Sequence, residues 1–85
     1  MSQKDKLIDR LTQRPSDFEY DEARTLLGRL GYREENKGRT SGSRVAFVNI
    51  ETKHIIRLHK PHHGNILKRY QVDQLIEELK NQGVI

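Results

Sequence analysis

Arg44-Val45-Ala46-Phe47-Val48-Asn49-Ile50, followed after Glu51-Thr52-Lys53 by His54-Ile55-Ile56-Arg57-Leu58, is the stretch that decides the fold. Both runs are rich in β-branched and aromatic residues, and the three residues between them are the length of a hairpin connection. Two antiparallel strands are predicted. Side chains alternate across a strand, so Val45 and Phe47 share one face, as do Ile56 and Leu58, and these are the expected core residues. Arg44, Arg57 and His59 then point to the opposite face.

On the N-terminal side, Tyr32 to Glu35 adds a third strand, separated from the hairpin by the turn-prone run Asn36-Lys37-Gly38-Arg39-Thr40-Ser41-Gly42. Before it, Ala23, Leu26, Leu27 and Leu30 recur at helical spacing, with Asp21 and Glu22 in the first turn, where carboxylates suit the helix dipole. Gly31 follows as a left-handed stop. Gly28, inside this helix, costs propensity and points to close packing or a weak last turn. On the C-terminal side the same stripe returns as Val72, Leu75, Ile76 and Leu79, closed by Gly83, after a turn marked by Pro61 and Gly64.

Each helix has one apolar stripe and must cover something. The expected fold class is therefore α+β: a two-layer α-β-β-β-α domain, with a three-stranded antiparallel sheet, both helices on one face and solvent on the other. Leu7, Ile8 and Leu11 form a short extra helix ended by Arg14-Pro15, because a residue before proline resists helical conformation. Phe18 and Tyr20 supply aromatic packing at the entry to the first main helix. The expected organisation is an N-terminal extension or short helix over 1–16 and a single domain over 17–85.

The chain's 85 residues suit one small domain. Without cysteine, neither a disulfide framework nor a thiolate metal site is available, so packing must offset the chain entropy. No stretch approaches the roughly 20 apolar residues that span a membrane, and the polar N-terminus lacks the apolar run of a signal peptide. A soluble, cytoplasmic protein without membrane contact is expected. There are 16 Lys and Arg against 12 Asp and Glu, a net charge of +4, and the excess is uneven. Arg33 to Arg69 holds nine cations, three acids and all four histidines, while acids gather at Asp17 to Glu22 and Asp73 to Glu78. Positive potential focused on one part of the chain attracts polyanions, although any single Lys or Arg is an ordinary solubilising charge by default.

Leu26-Leu27-Gly28-Arg29-Leu30-Gly31-Tyr32 at the end of the first main helix, the Ser41-Gly42-Ser43 turn leading into a strand with Phe47, the histidine-bearing segment after the last strand, and the Gly83-Val84-Ile85 ending occur here in that order. In combination they resemble the HicA (YcfA-type) toxins of bacterial toxin-antitoxin modules. The resemblance covers the chain from about Phe18 onward, and its element order is also that of the double-stranded RNA-binding fold. It implies a type II system toxin that binds RNA, an mRNA endoribonuclease that works without metal, and a HicB-like antitoxin protein as partner. It also implies a catalytic histidine directly after the Gly-Ser of that turn. Arg44 stands there instead. A guanidinium stays protonated and is a poor general base, but it holds phosphate by paired hydrogen bonds and stabilises charge developing on it.

His59 and His62 are the candidates to replace that histidine, one of them removing a proton from a ribose 2′-hydroxyl; surface histidines beside a turn are the alternative reading. The candidate RNA contacts are Arg39, Ser43, Arg44, Arg57, Lys60, Lys68 and Arg69, since A-form RNA is read through its phosphates and 2′-hydroxyls. His59, His62 and His63 lack acidic or thiol neighbours and sit beside Lys60, so no metal or cofactor is expected. The run Gly38 to Ser43 is not a phosphate-binding P-loop, because it precedes a strand and lacks Gly-Lys-Ser/Thr on a helix. Whether the chain cleaves RNA stays open at this level. A non-cleaving RNA-binding module, or a protein-interaction module whose basic face meets an acidic partner, are the alternatives.

Overall fold

A computed structural model describes residues 3–35, 44–61 and 64–85. Its elements run α1 (Gln3–Thr12), α2 (Tyr20–Arg29), β1 (Tyr32–Glu35), β2 (Arg44–Asn49), β3 (Ile55–His59) and α3 (Arg69–Asn81). The strands form one antiparallel sheet in the order β1-β2-β3. This is the expected α+β layout with its additional N-terminal helix.

Alternation in the hairpin divides the sheet as its residue pattern requires. Val45, Phe47, Ile56 and Leu58 are all at most 2% exposed and meet Leu26, Leu27, Val72, Leu75 and Leu79 in a single core. Burying side chains of this size contributes roughly 1.5–3 kcal/mol each before entropy is charged against it. Helix α1 adds Leu7 and Leu11 to that core by packing on α2 and α3. Arg10 fastens it further, with Nε donating to Glu22 at 2.6 Å and Nη2 donating to Asp17 at 3.1 Å. Burial alone would raise the Glu22 pKa, but the Arg10 hydrogen bond, the Glu19 backbone N–H and the Arg10 charge together hold it below the usual carboxylate value.

Gly31 ends α2 at φ +93° and Gly83 follows α3 at φ +74°, both in the left-handed region expected of a stop. Leu30, placed on the helical stripe by its spacing, is the cap residue just beyond α2 and is packed against the core. The hairpin loop is longer than three residues, and its cause is Asn49. The Asn49 carboxamide oxygen accepts from the backbone N–H groups of Glu51 and Thr52 at 2.9 Å each, and Lys53 takes φ +66°. Ile50 and His54 consequently fall outside the strands, whereas His59 falls inside β3.

The two main helices are tied together at their starts. Tyr20 N–H donates to the Asn65 carbonyl at 2.6 Å and Leu67 N–H to the Phe18 carbonyl at 2.9 Å. Phe18 and Leu67 are buried at this junction, as the expected aromatic packing at the helix entry requires. Among the described residues no helix is long and apolar enough to cross a membrane.

Candidate nucleic-acid interface

The sheet face turned away from the helices carries three cross-strand rows. Arg44 lies opposite His59; Ala46 lies between Arg57 on β3 and Glu35 on β1; Val48 lies between Ile55 and Arg33. The small Ala46 side chain leaves a shallow concavity of about 480 Å³, walled by Glu35, Arg44, Arg57 and His59. Its other end is apolar, lined by Val48 and by Ile55, which is 39% exposed. The concavity thus joins two guanidinium groups, an imidazole and a carboxylate over an apolar floor.

The outer edge of β3 is held by α3. His59 N–H donates to Gln71 Oε1 at 2.7 Å, and Gln74 Nε2 donates to the Arg57 carbonyl at 3.2 Å. This gives the buried Gln71 a partner and blocks an edge that would otherwise be open to pairing with another strand. It also fixes the backbone of the two β3 residues whose side chains enter the concavity. Their side chains are left free: among the described residues Arg44, Arg57 and His59 are exposed and have no side-chain hydrogen bond or ion pair. Cations without internal partners are available to an external anion.

The remaining sequence-derived candidates are not all gathered there. Lys68 and Arg69 are exposed at the start of α3, which the Gln71 contact brings beside the His59 end of β3, and that first turn has no acidic residue. Lys60 turns instead toward Tyr20, its ammonium 5.8 Å from the ring centroid. Tyr20 in turn donates to Glu34 at 2.6 Å, and burial together with that bond pushes its hydroxyl pKa up. Arg39, Ser43, His62 and His63 lie outside the described residues. No group of three or more His, Cys, Asp or Glu suited to a metal ion occurs among the described residues.

The family model for the HicA toxin of bacterial toxin-antitoxin systems matches residues 20–81, most of the chain. This chain belongs to the HicA toxin family. Membership makes it a toxin of a kind paired with an antitoxin. No curated protein and no solved structure matches the chain. In this HicA-family member Arg44, at the position where the resemblance calls for histidine, stands directly across the ladder from His59. The strand pair therefore still holds an imidazole beside that position.

Glu35 is the wall residue that sequence reasoning did not single out. Alternation within Tyr32 to Glu35 places Arg33 and Glu35 on the open face once Tyr32 is known to be buried. What the sequence lacked was register: only the pairing of Glu35 with Ala46 brings its carboxylate to the same hollow as Arg57.

Proposed function

We propose that the open sheet face binds RNA and cleaves it, making this chain a metal-independent mRNA endoribonuclease toxin that acts in the cytoplasm and is neutralised by a HicB-like antitoxin. The observation that carries this reading is the direct cross-strand pairing of Arg44 with His59. Arg44 and Arg57 hold the scissile phosphate and stabilise the charge that develops on its oxygens, work that suits a delocalised, always protonated fork. His59 supplies the proton-transferring group lost from position 44. Lys68 and Arg69 engage flanking phosphates, joined by Arg39 and Ser43 from the run before β2, with His62 as the alternative imidazole and Lys60 at the margin.

Cleavage follows attack of a ribose 2′-hydroxyl on the adjacent phosphorus, which requires a proton to leave that hydroxyl and another to reach the departing 5′-oxygen. The test is incubation of purified, metal-free protein with a structured RNA, comparing wild type with His59→Ala, His62→Ala and Arg44→Ala. The expected result is cleavage lost in His59→Ala, weakened in Arg44→Ala and retained in His62→Ala. The arginine at position 44 favours one competing reading, a binding module that occupies RNA without cutting it, and intact RNA with salt-sensitive binding would establish that instead. With about four phosphate contacts, log affinity falls against log salt with a slope of roughly −3 to −4, and Arg44→Ala flattens it by about 1. Salt-sensitive binding to an acidic protein but not to RNA would identify a protein-interaction module.

A further inference from the structure

The open face also carries a carboxylate, Glu35, and its place is specific. Cleavage by a 2′-hydroxyl is an in-line displacement: the attacking and leaving oxygens lie on opposite sides of phosphorus, so the group that accepts a proton and the group that delivers one must face each other across the phosphate. A single imidazole cannot stand on both sides during one displacement. Glu35 and His59 occupy the two strands that flank β2 and line the same concavity, with Ala46 as its floor and Arg44 and Arg57 on its walls. Glu35 shares a row with Ala46 and Arg57, and His59 lies one row further along, opposite Arg44, so two strand spacings and a two-residue step separate them, about 12 Å between backbones, which leaves room for a phosphodiester between side chains reaching inward from either edge.

We infer that Glu35 is the general base of this site and His59 its general acid. The inference rests on the ribonuclease reading above and assigns the two proton transfers that reading requires. An ionised carboxylate only accepts hydrogen bonds, so Glu35 takes the proton from the 2′-hydroxyl as the new O2′–P bond forms. The imidazolium of His59 gives its proton to the 5′-oxygen as the P–O5′ bond breaks. The products are a 2′,3′-cyclic phosphate and a 5′-hydroxyl, with no metal, redox partner or further reactant in the balance. Arg44 and Arg57 bind the non-bridging oxygens, and the arginine at position 44 becomes a phosphate clamp rather than a defect.

The test is the pH–rate profile of full-length wild type, Glu35→Gln and His59→Gln on a short RNA with one 2′-hydroxyl in an otherwise 2′-deoxy strand, alongside binding of the fully 2′-deoxy strand. A base must be ionised and an acid protonated, so wild type gives a bell-shaped profile. Glu35→Gln lowers the rate on the order of 10²–10⁴-fold and removes the acidic limb; His59→Gln removes the alkaline limb; the deoxy strand binds all three alike. A Glu35→Gln protein that cleaves at the wild-type rate with both limbs overturns the assignment while leaving the ribonuclease intact. A wild-type protein that binds the strand without cutting it overturns both the ribonuclease and the assignment. Loss of binding together with cleavage in Glu35→Gln makes the residue structural and overturns its role as a base.

Discussion

The two faces of one small sheet are built from alternate residues of the same strands, yet they differ in nearly every respect. The difference is clearest in two histidines five positions apart. On the helix-covered side, His54 has both ring nitrogens engaged: Nδ1 with the Tyr32 hydroxyl at 2.7 Å and Nε2 with Glu78 at 3.1 Å. A carboxylate can only accept, so Nε2 carries a proton, and in the neutral ring Nδ1 receives the tyrosine hydroxyl. Burial and the Glu78 charge push the Tyr32 pKa up, which keeps that hydroxyl a donor. The hairpin loop, β1 and α3 are joined through one imidazole. On the open side, the His59 ring has no such partner among the described residues, and its neighbours across the ladder are cationic or apolar. A side chain satisfied on every side fastens a fold; one held only by its backbone is available to a ligand.

The largest effect that can break this contrast is on stability. Phe47→Ala removes a side chain that is 1% exposed, and it should cost about 3–5 kcal/mol in a denaturant titration. Arg44→Ala, three positions earlier on the other face, should change stability by no more than about 0.5 kcal/mol while weakening RNA binding. Equal losses from the two substitutions would mean that the open face is part of the structural core. The histidines give a finer version. His54→Ala strands the Tyr32 hydroxyl and the Glu78 carboxylate and should lower stability by about 1–3 kcal/mol, whereas His59→Ala should leave the unfolding midpoint nearly unchanged.

The smallest effect concerns a surface that belongs to neither face. Gly28 sits in α2 with open space around the position a Cβ would take. Of close packing and a weak last turn, the two readings its presence offered, close packing finds no neighbour for that position among the described residues. Gly28→Ala should therefore stabilise the protein by about 0.5–1 kcal/mol through helix propensity alone, without altering RNA binding. A loss of stability would reveal a contact on that helix that the present packing lacks.

These comparisons also mark what could be read from the chain before it was folded. Val45, Phe47, Ile56 and Leu58 declared themselves by alternation, and the same alternation sent Arg44, Arg57 and His59 outward. Local periodicity carries that information because it depends only on neighbours along the strand. His54 is on the covered side by the same rule, but its role comes from Glu78, 24 residues away, and no spacing encodes that contact. Glu35 belongs to the candidate site through inter-strand register, and Lys60, one residue past the outward-facing His59, leaves its centre and stands over a tyrosine from another element. Asn49 was a legible turn signal that the hydrophobic run through Ile50 overrode. Sequence pattern thus specified the layers and the outward faces, while the partners of polar side chains awaited the tertiary fold.

The most direct test of the open face is to titrate isotopically labelled protein with a non-cleavable 2′-O-methyl RNA hairpin and follow every backbone amide by NMR. Shifts should concentrate at Glu35, Arg44, Ala46, Arg57 and His59 and extend to Lys68 and Arg69, with the outward surfaces of α1 and α2 unaffected. Shifts confined to the helices, with the sheet residues still, would contradict RNA binding by the open face.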